Sequence, residues 1–164
     1  MTETTHSLLS LHVRAEIDRW ITRYPLDQKR SGVLEALRLV QEENGGFLTE
    51  NLMNAVADYL NMPRIAVYEV VSFYTLYNVK PVGKNIINVC TNISCQLRDA
   101  EKILDHFRKR LEIGLNETTP DGKFTLREVE CLAACAAAPV AHIGKKYYEN
   151  LTPEKVDAIL NELE

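Results

Sequence analysis

Apolar side chains recur at helical spacing through the first half of the chain. Val13, Ile17, Trp20, Ile21 and Tyr24 share one face and stop at Pro25, which predicts a first amphipathic helix. Val33, Leu37 and Val40 form a second stripe running into Asn44-Gly45-Gly46, a sequence suited to a left-handed helix end. Thr49 is placed to cap a third helix carrying Leu52, Met53, Val56 and Leu60, since its hydroxyl can accept from a free N–H of the first turn. Pro63 suits the first turn of a fourth helix, whose apolar face is Val67, Val70, Val71 and Tyr74. Together these stripes predict a small helical bundle with the named residues in its core.

The periodicity changes at Lys80-Pro81-Val82-Gly83-Lys84, where Pro and Gly punctuate the chain. A boundary is expected there, between a bundle over residues 1–80 and a second domain over 81–164. Asn85 to Cys90 (NIINVC) is β-branched and short, as a buried strand would be. A helix should follow over Leu97 to Leu111, with Ile103, Leu104, Phe107 and Leu111 turned inward. Asp121-Gly122 predicts a turn, and Phe124 to Glu130 a strand. Pro139 to Ile143 reads as a further strand, returned by a Gly144-Lys145-Lys146 turn through Tyr147 and Tyr148. Thr152-Pro153 opens a last helix burying Val156, Ile159, Leu160 and Leu163. This β-α-β-β-α order predicts a small α/β sandwich, and the whole chain is expected to be α+β.

Charge and composition exclude more than they identify. A net charge of −4 with no basic stripe speaks against nucleic acid as a partner. No apolar run is long enough to span a bilayer. Met1 to Thr5 carries neither the basic residues nor the apolar stretch of a secretory signal. A cytoplasmic location is expected, where thiols stay reduced.

In that setting the four cysteines matter most. Cys90 and Cys95 form a C-x4-C pair, Cys131 and Cys135 a C-x3-C pair, and the chain has no other. Each pair follows a predicted strand, so both loops can leave one end of a sheet, where α/β folds place ligands. Four converging thiolates would repel one another without a cation, and the redox signature C-x-x-C is absent. A metal centre is the better reading. Structural zinc accepts four thiolates at such spacings, and a [2Fe–2S] cluster takes two per iron. Spacing leaves both open. None of His6, His12, His106 and His142 is spaced with a cysteine as an alternative ligand, and all are expected to be uninvolved.

The residues around the second pair distinguish the two. Asp121-Gly122-Lys123-Phe124-Thr125 precedes Cys131-Leu132-Ala133-Ala134-Cys135, and Ala138-Pro139 follows. This resembles the E-subunit family of respiratory NADH-quinone oxidoreductase, whose signature is Asp-x2-Phe-Ser/Thr, five residues, Cys-Leu-Gly-x-Cys, two residues, then Gly/Ala-Pro. Cys90 and Cys95 match the family's first ligand pair, Phe73-Tyr74 resembles a motif of its N-terminal half, and the likeness runs from Val13 to Leu163. The resemblance implies a helical region joined to a thioredoxin-like domain that holds one [2Fe–2S] cluster on Cys90, Cys95, Cys131 and Cys135. It further implies a partner flavoprotein carrying FMN and NADH, docked by the bundle over residues 1–80, an iron–sulfur subunit in the same complex, and one-electron exchange with the flavin. That places the chain in the peripheral arm of a complex at the cytoplasmic face of the inner membrane. The chain itself has no Gly-rich nucleotide loop and no complete active site. Related subunits serve NAD-linked hydrogenases and formate dehydrogenases; a free ferredoxin-like carrier and a zinc-stabilised interaction module are the other classes.

Three departures from the family pattern carry expectations. Ala133 stands where the family has Gly; in a left-handed conformation Ala costs roughly 1 kcal/mol more. Asp99 replaces a small residue and is expected to cap the following helix. Ala136-Ala137-Ala138 lacks the charged residue many relatives carry, which should raise the cluster's potential modestly. Thr91, Asn92 and Ser94 are candidate donors around the site. Pro139 occupies a place where a cis bond is plausible.

Overall fold

The computed structural model describes residues 8–163; the readings of Met1 to Thr5 and of His6 lie outside them. The backbone forms two compact units, one ending at Pro81 and the other beginning at Val82.

In the first unit, α1 (Leu11–Ile21) starts at Ser10, whose hydroxyl accepts from the Val13 N–H. Leu9, just before this cap, joins Val13 and Ile17 in the core. Trp20 and Tyr24, expected on the same face, are only half-buried. Pro25 ends the segment, and the chain continues through a 3-10 stretch, Leu26–Gly32, that the apolar spacing does not reveal. α2 (Val33–Glu43) buries Val33, Ala36, Leu37 and Val40. Gly45 and Gly46 then take φ of 75° and 95°, the left-handed exit read from Asn44-Gly45-Gly46. α3 (Glu50–Tyr59) is capped by Thr49, which accepts from the Leu52 N–H. α4 (Arg64–Phe73) follows Pro63 and buries Val67 and Val71. α1 packs on α2, α2 on α3 and α3 on α4. Tyr74, expected on the buried face of α4, is 39% exposed: the helix ends at Phe73 and the backbone turns extended there. Tyr77 goes inside instead, its hydroxyl donating to the Leu34 carbonyl at 2.7 Å.

A buried polar clamp holds this exit. The Gln41 amide donates to the Leu76 carbonyl and accepts from the Asn78 N–H. The Asn78 side chain donates to the Gly46 carbonyl, and the Asn78 backbone carbonyl accepts from the Leu48 N–H. The Gln41 amide, bonded through both its nitrogen and its oxygen, specifies one arrangement, because any other leaves it unpaired at a cost of about 1–3 kcal/mol. The Asn78 side-chain oxygen is buried without a partner among the described residues.

The second unit is a five-stranded mixed sheet with two long helices. In chain order it runs β1 (Asn85–Cys90), α5 (Ile93–Gln96), α6 (Ala100–Leu111), β2 (Glu117–Thr118), β3 (Phe124–Val129), β4 (Ala141–Ile143), β5 (Lys146–Tyr148) and α7 (Pro153–Leu163). The spatial order is β2-β3-β1-β4-β5. β1 is central, parallel to β3 and antiparallel to β4. Gly83 permits this arrangement: a Cβ there would lie 2.6 Å from the Phe124 carbonyl carbon, and its N–H donates to the Thr125 hydroxyl at 2.6 Å. β2 is too short to register in the apolar pattern. β4 starts two residues after Pro139, which has no N–H to give a ladder.

Ile87, Val89, Phe107, Leu126, Val156 and Leu160 form the centre of this second core. α6 lies against β1 and β3 and beside α7. Asp157 on α7 accepts from His106 Nε2 at 2.9 Å and Arg110 Nε at 2.7 Å on α6. Among the described residues, no helix is long and apolar enough to cross a membrane.

Candidate metal centre

The parallel β1–β3 pair decides where the two cysteine loops emerge. Cys90 ends β1 and stands in register with Val129 at the end of β3, two residues before Cys131. Both cysteine loops therefore leave the same end of two neighbouring strands. Backbone bonds lock that end, with the Cys90 N–H donating to the Val140 carbonyl at 3.1 Å and the Thr91 N–H to the Val129 carbonyl at 3.2 Å.

The two pairs differ in burial. Cys90 and Cys95 are 3% and 2% exposed and pack with Ala100 and Ala138, walled by Val129 and Leu132. Cys131 and Cys135 are exposed. The Cys90 thiol contacts the Glu130 carbonyl at 3.8 Å. Burial, foremost, and the hydrogen bond with Cys90 push the Cys95 thiol up to about 11; the charges of Cys90 and Cys135 act in the same direction, while a backbone bond at Val140 opposes them. Cys90 and Cys95 share one buried cluster. Among the described residues, no three His, Cys, Asp or Glu side chains are grouped closely enough to hold one metal ion.

The donor chemistry suits an iron–sulfur group. All four candidates are soft thiols arranged as two pairs, and a two-iron cluster asks for two thiolates on each iron. The Cys95 thiolate is disfavoured by burial first and by its neighbour Cys90, so a cationic centre is what would stabilise it.

The loop between the outer cysteines is the strained part. Ala133 has φ 56°, in the left-handed region, where the family's Gly would be at ease. This turn aims the Ala133 N–H at Cys131 Sγ, 3.3 Å away. A backbone donor of this kind is invisible to a reading of side chains; the family's Gly at that position is its only sequence signal. Of the side-chain candidates, Thr91 donates to Glu128 at 2.7 Å and Asn92 accepts from the Ile93 N–H. Asp99 does precede α6, yet it makes no capping bond; it takes φ 63° and pairs with Lys102 at 2.8 Å. The Ala138–Pro139 bond is cis, and this segment is held by the Asn150 and Leu151 N–H groups, which donate to the Ala137 and Pro139 carbonyls. His142 faces Tyr147 and His106 faces Asp157.

Comparison with known proteins gives a consistent set of likenesses. The family model described as thioredoxin-like [2Fe-2S] ferredoxin matches residues 17–164. The E subunit of NADH-quinone oxidoreductase from Rickettsia bellii is 48% identical over 143 residues, covering 87% of this chain and 86% of that one. The protein of the same name from Rickettsia conorii is 44% identical over 164 residues, 100% of this chain and 96% of the other. Among solved structures, a chain of the air-oxidised NAD+-reducing [NiFe]-hydrogenase superposes with a TM-score of 0.70 at 17% identity, over 80% of this chain and 22% of that longer one. At that identity the likeness speaks for the fold alone.

Proposed function

The chain belongs to the thioredoxin-like [2Fe-2S] ferredoxin family, with the E subunits of NADH-quinone oxidoreductases as its relatives, and we propose that it carries single electrons within such an oxidoreductase. In this reading Cys90, Cys95, Cys131 and Cys135 hold one [2Fe–2S] cluster. The electron donor or acceptor is the FMN of a partner flavoprotein that oxidises NADH, with an iron–sulfur subunit in the same peripheral arm at the cytoplasmic face of the membrane. When bound, the cluster supplies a one-electron couple.

The residues of the chain divide the remaining work. Cys90 and Cys95 bind from inside, and Ala100, Ala138, Val129 and Leu132 keep water from that side. Cys131 and Cys135 bind from the exposed side, where a redox partner can approach. The Ala133 N–H bonds to Cys131 Sγ, and such a donor stabilises the extra charge of a reduced site. The observation that carries the reading is the parallel register of β1 with β3, which brings both cysteine loops to one end of the sheet.

The test is chemical analysis of the full chain purified without oxygen. Two irons and two sulfides per chain are expected, with the visible absorption of a [2Fe–2S] group and an EPR signal on reduction. Cys95→Ser and Cys135→Ser should each lose most of the iron. Zinc without iron would sink the cluster, and a loaded chain that never co-purifies with a flavoprotein would sink the subunit role.

A further inference from the structure

The first unit carries an opening lined by its own residues. It is a groove of about 510 Å3 lined by, among others, Glu50, Met53, Tyr68, Val71, Tyr74 and Val79. Its surroundings are apolar and exposed: Phe73 is 76% exposed, Leu76 50% and Val79 59%. This run follows α4 without a break, so the apolar surface extends beyond what one small molecule would cover. Contiguous exposed apolar surface of this kind marks an interaction site.

The chemistry of the lining is one-sided. Glu50 is the single ionisable carboxylate of the groove, and no lysine, arginine or histidine lines it. Among the described residues Glu50 has no ion-pair partner; its nearness raises the Tyr68 phenol, after burial. Arg64, one turn before Tyr68, is committed to Asp58. The groove thus offers an acid at an apolar surface and asks for a base.

The groove is also preformed. Leu76 and Asn78 are held by Gln41, and Leu48 by Asn78, so the segment from Tyr74 to Val79 has little freedom left to lose on binding. Preorganisation of this kind favours association. The chain's own residues 1–7 (MTETTHS) are a poor occupant, since they have few apolar side chains and bring Glu3 toward Glu50.

We propose that this groove seats a segment of a partner subunit of the same oxidoreductase, an apolar stretch carrying a lysine or arginine that pairs with Glu50. The inference rests on the reading of the chain as a subunit and places the docking expected of the first unit on this groove, with the chemistry of its occupant.

The experiment places the photo-cross-linker p-benzoyl-L-phenylalanine at position 74 in place of Tyr74, in the full chain, within the oxidoreductase purified from producing cells. After irradiation, mass spectrometry should find one cross-linked peptide from another subunit, apolar with a neighbouring lysine or arginine. Glu50→Lys should cut that yield at least tenfold and Glu50→Gln by less, both with unchanged circular dichroism and iron content. Cross-links to this chain's own residues, to lipid or to a peptide lacking a base overturn the proposal, as does an unchanged yield in Glu50→Lys. A complex that carries its cluster but gives no cross-link at position 74 overturns the groove alone. A chain that purifies loaded but without partners overturns the subunit reading and the groove together.

Discussion

Replacing Ala133 by glycine should stabilise the second unit, although Gly is normally the weaker residue. Ala133 sits at φ 56° and its side chain is exposed, so its methyl is lost without loss of packing. The left-handed conformation costs an L-residue about 1–2 kcal/mol. Glycine's greater freedom in the unfolded chain returns about 0.4–1 kcal/mol of that. The net gain is about 0.5–1 kcal/mol. With an ordinary urea dependence the midpoint rises by roughly 0.2–1 M. The backbone N–H to Cys131 Sγ is retained in the variant, which isolates the torsional contribution. Ala136→Gly is the control: it lies inside the 3-10 turn Cys135–Ala137 and is not among the positive-φ residues, so it should lose about 0.5–1 kcal/mol. Urea titration of the cluster-free chain, followed by amide exchange in β1 and β3, reads the second unit directly. Tryptophan fluorescence would not, because the single Trp20 lies in the first. Ala133→Gly unfolding at or below the wild-type midpoint, or both variants shifting the same way, would refute the torsional account.

Three further outcomes follow from the same structure. Gly83→Ala should destabilise by about 2 kcal/mol or more, since its Cβ would fall within 3.0 Å of three Phe124 backbone atoms; thermal denaturation checks it. Stability should fall in acid. The bond from Arg38 lowers Glu35, the Thr119 hydroxyl lowers Asp121 and the bond from His106 lowers Asp157, so the folded chain binds fewer protons than the unfolded one. Their contribution is present above the ordinary values of 4.5 and 3.8 and is lost as pH falls through the lower native ones; a urea midpoint flat from about pH 7 to 5 and falling below about 4 is expected. Finally, Ala136→Asp should lower the midpoint potential of the loaded protein, because a carboxylate beside the exposed pair opposes reduction; an unchanged redox titration would remove charge at this position as a determinant.

How much of this is legible in the sequence depends on whether a signal is local. The bundle helices, β1 ending at Cys90 and the turns at Gly45-Gly46 and Gly144 follow from spacing and from glycine's tolerance of positive φ. So does the left-handed Ala133, because the family's Gly marks the position. Tyr74 is misplaced by its spacing, which stays helical past the point where the backbone leaves the helix. Tyr77 and Asn78 escape notice for the complementary reason: their burial depends on Leu34, Gln41 and Gly46, far away in sequence. Asp99 has a capping residue's identity, but its left-handed backbone carries the side chain to Lys102. The unequal burial of the two cysteine pairs is equally hidden, since the first pair is enclosed only by residues brought in from α6, from the end of β3 and from the loops around Leu132 and Ala138.

The parallel pairing of β1 with β3 also sets an order in time. Asn85 pairs with Phe124 and Cys90 with Val129, so a ribosome must emit α5, α6 and β2 before the central strand finds its neighbour. Non-local pairings of this kind form late. A growing chain that has exposed Cys90 and Cys95 still holds only half of its thiols, and the second half follows β3, the strand that pairs in parallel with β1. Folding thereby delays four-thiol capture of any metal until the scaffold that orients those thiols exists.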